Sequence, residues 1–263
     1  MLSPGDRFEG YVIDETVGRG GSAIVYRAHD VAAPERQVAL KIARGEAVEQ
    51  QRLRREFDYA RRFSHPHIVE VFDSGSGWLA MTLAGGGSVK NLATLPNRMV
   101  ALSQIADALD HIHSLGVVHC DVKPANILVT QNFYETGALL VDFGNARSIG
   151  ETSPSRATRV TASLPYAPPE LLTGRAVSAA TDSYALACTI VEMVTGRTPF
   201  TANTQAALTD AQLHSAPPRP SRHIDWLPTA FDSMLAKAMA KNPDDRYQSC
   251  TELTALITRV VRD

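Results

Sequence analysis

His119-Cys120-Asp121-Val122-Lys123-Pro124-Ala125-Asn126, with Val141-Asp142-Phe143-Gly144 a short way downstream, is the stretch on which the fold turns. An acid, a lysine and an amide packed this closely between two apolar runs cannot all be buried as structure, because buried charge needs partners. Pro124 lacks an N–H and clashes with the preceding turn, so no helix runs through it. The stretch therefore predicts a loop held by rigid neighbours with its polar side chains in a cleft, where chemistry is usually placed.

The rest of the chain suits such a cleft. With 263 residues it can bury a sizeable core, as one large domain or as two lobes. The formal charge is only −2 with acids and bases interspersed, which gives no indication of nucleic acid or an anionic membrane as the main partner. The one basic concentration, Arg52-Leu53-Arg54-Arg55 with Arg61-Arg62, has acids beside it and reads as a solvated helix face. Cys120, Cys188 and Cys250 are odd in number and far apart, so they offer neither a disulfide framework nor a zinc spacing, and they imply a reducing, cytoplasmic compartment. Met1-Leu2-Ser3-Pro4-Gly5-Asp6 has no basic segment followed by an apolar core. No apolar run approaches the ~18 residues of a membrane helix, so a soluble chain is expected.

Upstream of the loop, Tyr11 to Val17 and Ile24 to Ala28 predict two strands joined by Gly18-Arg19-Gly20-Gly21-Ser22-Ala23, whose glycines would let backbone N–H groups approach a phosphate. A strand follows this loop, whereas a Rossmann or Walker motif would open a helix, and no Gly-Lys-Ser/Thr is present. In Val38-Ala39-Leu40-Lys41-Ile42 the apolar residues Val38, Leu40 and Ile42 share one face and Ala39 and Lys41 the other. Glu46 to Phe63 predicts a helix with the apolar stripe Leu53, Phe57, Ala60, Phe63, and Glu56 falls inside that stripe. A carboxylate on a packing face needs a partner, and Lys41 is the natural one.

His65-Pro66-His67 reads as a polar turn opening a strand, since no acid or cysteine beside it completes a metal set. Val69 to Asp73 and Trp78 to Leu83 predict a hairpin. Gly85-Gly86-Gly87 reads as a flexible joint between lobes. Further helices are predicted at Arg98 to Leu115, Asp182 to Val194, Phe231 to Ala240 and Thr251 to Val261; His111 and His113, two apart on the first, face different sides. Pro217-Pro218-Arg219-Pro220 reads as a loop between helices.

HCDVKPAN resembles the catalytic loop of the eukaryotic-type (Hanks-type) serine/threonine protein kinases, and VDFG resembles their magnesium loop. The resemblance covers nearly the whole chain. It implies an α+β bilobal kinase fold over residues 1–263: a small antiparallel β-rich lobe with one key helix to about residue 84, and a larger, mainly helical lobe from 85. ATP and Mg²⁺ are the implied cofactors, and the implied reaction is phosphorylation of Ser and Thr hydroxyls on protein substrates. Asp121 matches the catalytic base and Lys123 the cation near the γ-phosphate. Lys41 and Glu56 match the pair that positions the α- and β-phosphates, and Asn126 and Asp142 the two metal ligands. Gly18, Gly20, Val25 and Ala39 match the nucleotide roof, Met81 the gatekeeper, and the backbone of Thr82 and Ala84 the adenine edge. Lysine two residues after the Asp favours an aliphatic over a phenolic acceptor. Asp182 is expected to bond the catalytic-loop backbone and Glu170 to pair with Arg246. Self-phosphorylation and a homodimer are open to such an enzyme.

Four departures stand out. Ala23 replaces the third loop glycine, and Ser163-Leu164-Pro165-Tyr166-Ala167-Pro168-Pro169-Glu170 matches the end of the family's activation segment only in part, with Ala162 and Ser163 at its glycine and threonine positions. Cys120 replaces an arginine that can hold an activation-segment phosphate, so activity is expected not to depend on phosphorylation of Thr152, Ser153, Ser155, Thr158 or Thr161, although Arg156 and Arg159 offer substitute partners. Asn145 is polar where it follows the Asp-Phe-Gly run. Ala23, Cys120 and Asn145 keep one rival in view, a nucleotide-binding scaffold that signals without transfer, although every charged catalytic position is retained. A small-molecule kinase of related fold is disfavoured by the PPE segment, which serves protein substrates.

Overall fold

The computed structural model describes residues 1–45, 47–152 and 163–262. Glu46, Ser153, Ser155, Arg156, Thr158, Arg159, Thr161 and Ala162, named above, lie outside the described residues. One antiparallel sheet comprises β1 (Arg7–Phe8), β2 (Tyr11–Arg19), β3 (Ala23–Asp30), β4 (Gln37–Ala43), β5 (Val71–Gly75) and β6 (Trp78–Met81), in the order β1-β2-β3-β4-β6-β5, with helix α1 (Ala47–Ala60) packed on it. Beyond it come β7 (Gly85–Ser88), α2 (Leu95–Ser114), β8 (Val117–Val118), β9 (Ile127–Thr130), α3 (Phe133–Thr136), β10 (Ala138–Leu140) and β11 (Arg147–Ser148). Helices α4 (Pro169–Thr173), α5 (Ala179–Thr195), α6 (Gln205–His214), α7 (Thr229–Ala238) and α8 (Cys250–Arg262) complete a bilobal α+β architecture. No helix among the described residues is long and apolar enough to cross a membrane.

The alternation in β4 splits the core in two. Val38 and Leu40, with Ile42 at the edge, join Tyr11, Ile13, Tyr26 and Trp78 on the outer face of the sheet, where Leu2 and Phe8 cover them. Ala39 lies on the opposite face, in the larger core that runs through Leu79 and Met81 into the helices. Lys41 shares that inner face, which aims its ammonium between the lobes.

α2 begins three residues earlier than Arg98, because Thr94 caps the Asn97 N–H and Pro96 is tolerated in a first turn, whose N–H groups have no intrahelical partner. α5 is buried along nearly its whole length and opens with a capping box between Ser178 and Thr181. α6 is a helix the sequence pattern did not reveal, as it carries no clear apolar stripe. The strand expected from His65 starts only at Val71; Ile68 bridges Leu140 before it.

The glycine stretch before α2 differs from the expected loose joint. Gly85–Ser88 is strand β7, paired with β9, and the Gln131 N–H donates to the Ala84 carbonyl at 2.7 Å. Gly85 and Gly87 have φ of +78° and +79°, and a Cβ on Gly86 would stand 2.6 Å from the Thr130 carbonyl oxygen. Gly86 is required for the close fit to β9, and Gly85 and Gly87 for their left-handed backbone.

Candidate active site

The two motif loops are held in backbone conformations that few side chains adopt. Cys120 has φ +64° and Asp142 φ +69°, each costing of order 1 kcal/mol that the surrounding contacts must offset. Asp182, wholly buried in the first turn of α5, fixes the first of them. Its carboxylate accepts from the His119 N–H at 2.7 Å and the Cys120 N–H at 2.8 Å. Phe143, fully buried, packs between Phe63 and His119, with ring centroids at 5.3 and 5.0 Å.

On this frame the charged residues of four elements meet. Lys41 Nζ donates to Glu56 Oε1 at 2.9 Å and Oε2 at 2.7 Å and lies 3.4 Å from Asp142 Oδ1. Burial alone would push the Lys41 ammonium down, but the carboxylates of Asp142 and Glu56 outweigh it and raise it, so it stays charged. For Asp142 burial works upward, and the cations around it, Lys41 first and then Lys123 and Arg52, prevail, bringing the carboxyl down to about 2. Lys123 Nζ donates to both oxygens of Asp121, at 3.0 and 2.9 Å, and to Ser163 Oγ at 2.6 Å. Asn126 Nδ2 donates to the Asp121 carbonyl at 2.8 Å and to Oδ2 at 3.2 Å. Among the described residues Asn126 Oδ1 and Asp142 Oδ2 have no hydrogen-bond partner, which leaves two hard oxygen donors of the kind Mg²⁺ favours.

The expected nucleotide-binding positions lie on the strands beside Lys41, in the β2–β3 turn and on the connection after β6. Gly18 pairs with Val25 across β2 and β3, and Lys41 with Leu79 across β4 and β6. The strands extend further than expected, so the turn shrinks to Gly20-Gly21-Ser22. There the Gly20 N–H is spent on the Ala23 carbonyl, while the Gly21 and Ser22 N–H groups have no protein partner among the described residues. Met81 pairs with Ala39. The Thr82 N–H donates to the Glu70 carbonyl and the Ala84 carbonyl accepts from Gln131, so the Thr82 carbonyl and the Ala84 N–H remain as one acceptor and one donor.

Several residues that sequence reasoning missed hold the site together. Arg54, Arg55, Arg61 and Arg62 are exposed as expected, but Arg52 is half-buried, and both Arg52 and Arg55 reach across to the segment after Asp142. Arg52 donates to Asn145 Oδ1 at 2.9 Å, and Arg55 donates to the Ala146 carbonyl at 3.0 Å and Glu151 Oε1 at 3.2 Å. Gln212, buried in α6, donates to the carbonyls of Leu164 and Pro165 and so holds the end of the segment that begins at Asp142. His65 and His67 tie the α1–β5 connection to Asp107 and the Ala138 carbonyl. Their partners lie far along the chain, and no local pattern announces them.

His113 is another. It lies 2.8 Å from Asp182 and 3.8 Å from Asp110, and Asp110 in turn accepts from Cys250 and Thr251 at the start of α8. Burial would push the imidazole down, but the two carboxylates outweigh it and lift it to about 9. A raised value stabilises the protonated form. This contribution, of order 3 kcal/mol, is therefore complete below the ordinary histidine value near 6.5 and is lost as pH rises through about 9. Denaturant unfolding at pH 6 and pH 9.5 is expected to show wild type losing about 2–3 kcal/mol more than His113→Gln across that interval. Equal losses would mean that His113 carries no proton-linked stability.

The protein kinase domain family model matches residues 11–256. The serine/threonine-protein kinase PknJ of Mycobacterium bovis is 36% identical over 267 residues, covering 95% of this chain and 45% of its own length. The serine/threonine-protein kinase PknD of Mycobacterium tuberculosis is 38% identical over 264 residues, covering 95% of this chain and 39% of its own. The chain thus spans less than half the length of these relatives. The crystal structure of the PknI kinase domain of Mycobacterium tuberculosis superposes with a TM-score of 0.72 at 30% identity, over 98% of this chain and 99% of that one.

Proposed function

Because the chain belongs to the protein kinase family, we propose that it transfers the γ-phosphoryl group of ATP to Ser and Thr hydroxyls of proteins. The observation that carries this reading is the convergence of Glu56 and Asp142 on Lys41, whose ammonium lies within 3.4 Å of both carboxylates, beside an Asp121 carboxylate already oriented by Lys123 and Asn126. Lys41, held by Glu56, binds the α- and β-phosphates. The Thr82 carbonyl and Ala84 N–H bind the adenine edge, with Val25, Ala39 and Met81 around the ring and Gly18 and Gly20 above the phosphates. Asn126 and Asp142 hold Mg²⁺, which when bound neutralises phosphate charge. Asp121 takes the proton of the acceptor hydroxyl. Its Oδ1 carries only the Lys123 contact, so a lone pair remains for that proton. Lys123 bridges from this carboxylate toward the incoming γ-phosphate.

Incubating the purified chain with γ-labelled ATP, Mg²⁺ and a generic basic protein tests the proposal. Label is expected on Ser and Thr of the protein. ATP binding without transfer would replace this reading with that of a signalling scaffold, and turnover only with a small hydroxylated molecule would replace it with that of a small-molecule kinase.

The same reading makes activity independent of phosphorylation in the segment after Asp142. The Cys120 side chain stands 3.6 Å from the Val118 carbonyl, and burial pushes its thiol well up, so this position offers no cation to a phosphate. Simultaneous replacement of Thr152, Ser153, Ser155, Thr158 and Thr161 with Ala is expected to change the rate by less than about tenfold, ~1.4 kcal/mol. A larger fall would tie activity to a phosphate in that segment.

A further inference from the structure

Asn145 follows directly on Asp142-Phe143-Gly144, and its amide uses both of its ends. Nδ2 donates to Asp121 Oδ2 at 3.1 Å, and Oδ1 accepts from Arg52 at 2.9 Å. The orientation of this amide follows from its partners, because a guanidinium can only donate and a carboxylate can only accept. Reversing it would face donor to donor and acceptor to acceptor. We propose that Asn145 is a positioning residue that couples the placement of helix α1 to the orientation of the Asp121 carboxylate. This rests on the proposed role of Asp121 as the base.

Three features support the coupling. Arg52 is on the same helix as Glu56, one turn away, so the helix that sets Lys41 also sets the amide. A second tie, from Arg55 to the Ala146 carbonyl, holds the next residue of the same segment. The helix also lies directly against this segment, since a Cβ placed on Gly144 would be in ordinary contact, 3.7 Å, with the Arg52 carbonyl oxygen.

The Asp121 contacts are unequal as a result. Oδ2 receives Lys123, Asn126 and Asn145, while Oδ1 receives Lys123 alone. Three donors on one oxygen fix the carboxylate torsion with the other oxygen turned toward the acceptor hydroxyl. When α1 moves away, Arg52 withdraws, the amide is free to turn, and one of the three donors is lost. The base is then misaligned even though Asp121 itself is untouched. Asn145, which resembles a lapse from the kinase pattern, thereby makes the base responsive to any partner that shifts α1.

The test is a double-mutant cycle on the full chain. Asn145→Leu and Arg52→Met are each expected to lower kcat about five- to thirtyfold with KM for ATP within about twofold, and the double variant to be no slower than the slower single one. Asn145→Asp keeps the acceptor for Arg52 but turns a donor to Asp121 into a like charge, and it is expected to be at least as slow as Asn145→Leu. Single-variant effects that multiply, or an Asn145→Asp enzyme as fast as wild type, would overturn the proposal. A second readout needs no turnover: at fixed neutral pH the Asp121 carboxyl ¹³C resonance is expected to move in Arg52→Met, and not to move further when Asn145→Leu is already present. If Arg52→Met leaves that resonance in place, the coupling is wrong whether or not the chain is a kinase. If wild type transfers no phosphoryl group while the resonance moves as expected, it is the reading of Asp121 as base that fails.

Discussion

Asp121→Asn is expected to lower the rate of phosphoryl transfer by roughly 10²–10⁴-fold while ATP affinity changes by no more than about twofold. The exchange preserves size and removes the proton acceptor. Lys123, Asn126 and Asn145 all present donors to this carboxylate, at 2.9 to 3.2 Å. An amide can satisfy them with its single oxygen only, so one edge of the new side chain faces donors with a donor. The nucleotide contacts through Lys41, Thr82 and Ala84 do not involve this residue, which is why binding and transfer are expected to separate. Single-turnover kinetics with ATP titration distinguishes the outcomes. A variant that keeps more than about a tenth of the wild-type rate would remove Asp121 from the role of base.

The largest loss of stability is expected from Arg246→Met. Arg246 donates to Glu170 through Nη1 at 2.7 Å and Nη2 at 2.9 Å, and its remaining donors go to the carbonyls of Ala180, Ala240 and Lys241. Both partners are buried, Arg246 at 3% exposure and Glu170 at 2%. Methionine removes the cation and leaves the carboxylate with no water to receive it, a change that costs about 3–5 kcal/mol when one member of a buried pair is deleted. For a chain of this size that corresponds to a fall in Tm of about 6–20 °C. Removing both charges, as Arg246→Met with Glu170→Leu, is expected to recover part of the loss, because the stranded charge is then gone. A single-variant loss below about 1 kcal/mol would mean that the Glu170 carboxylate finds solvent or another donor.

How much of this was legible in the sequence depended on the range of each contact. Lys41 could be matched to Glu56 because a carboxylate in an apolar helical stripe demands a partner, and the lysine of the preceding strand, set beside a small alanine on the face opposite its apolar residues, was the natural one. Asp121, Lys123 and Asn126 lie within six residues of one another, so their spacing carries their geometry. Arg52 and Asn145 are 93 positions apart and His113 and Asp182 are 69 apart, and no periodicity relates them. The arginine run is mostly exposed, as its flanking acids suggested, yet Arg52 and Arg55 within it find partners in the other lobe that no flanking residue announces. Gln212 lay in a helix with no apolar stripe, and its buried bonds to Leu164 and Pro165 are invisible without the fold. The triple glycine misled for a different reason. Glycine marks both segments that must move and segments that must fit, and composition does not separate the two.

The fit of Gly86 against β9 has a mechanical consequence. With β7 seamed to the larger lobe and the Ala84 carbonyl fastened by Gln131, the backbone torsions left to swing one lobe against the other lie between Met81 and Ala84. The slack in this connection is therefore about three residues long and includes the Thr82 carbonyl and the Ala84 N–H, while the other connection, α1 to β5, is pinned to the larger lobe at His65, His67 and Ile68. Whatever occupies those two groups grips the axle on which the two halves turn.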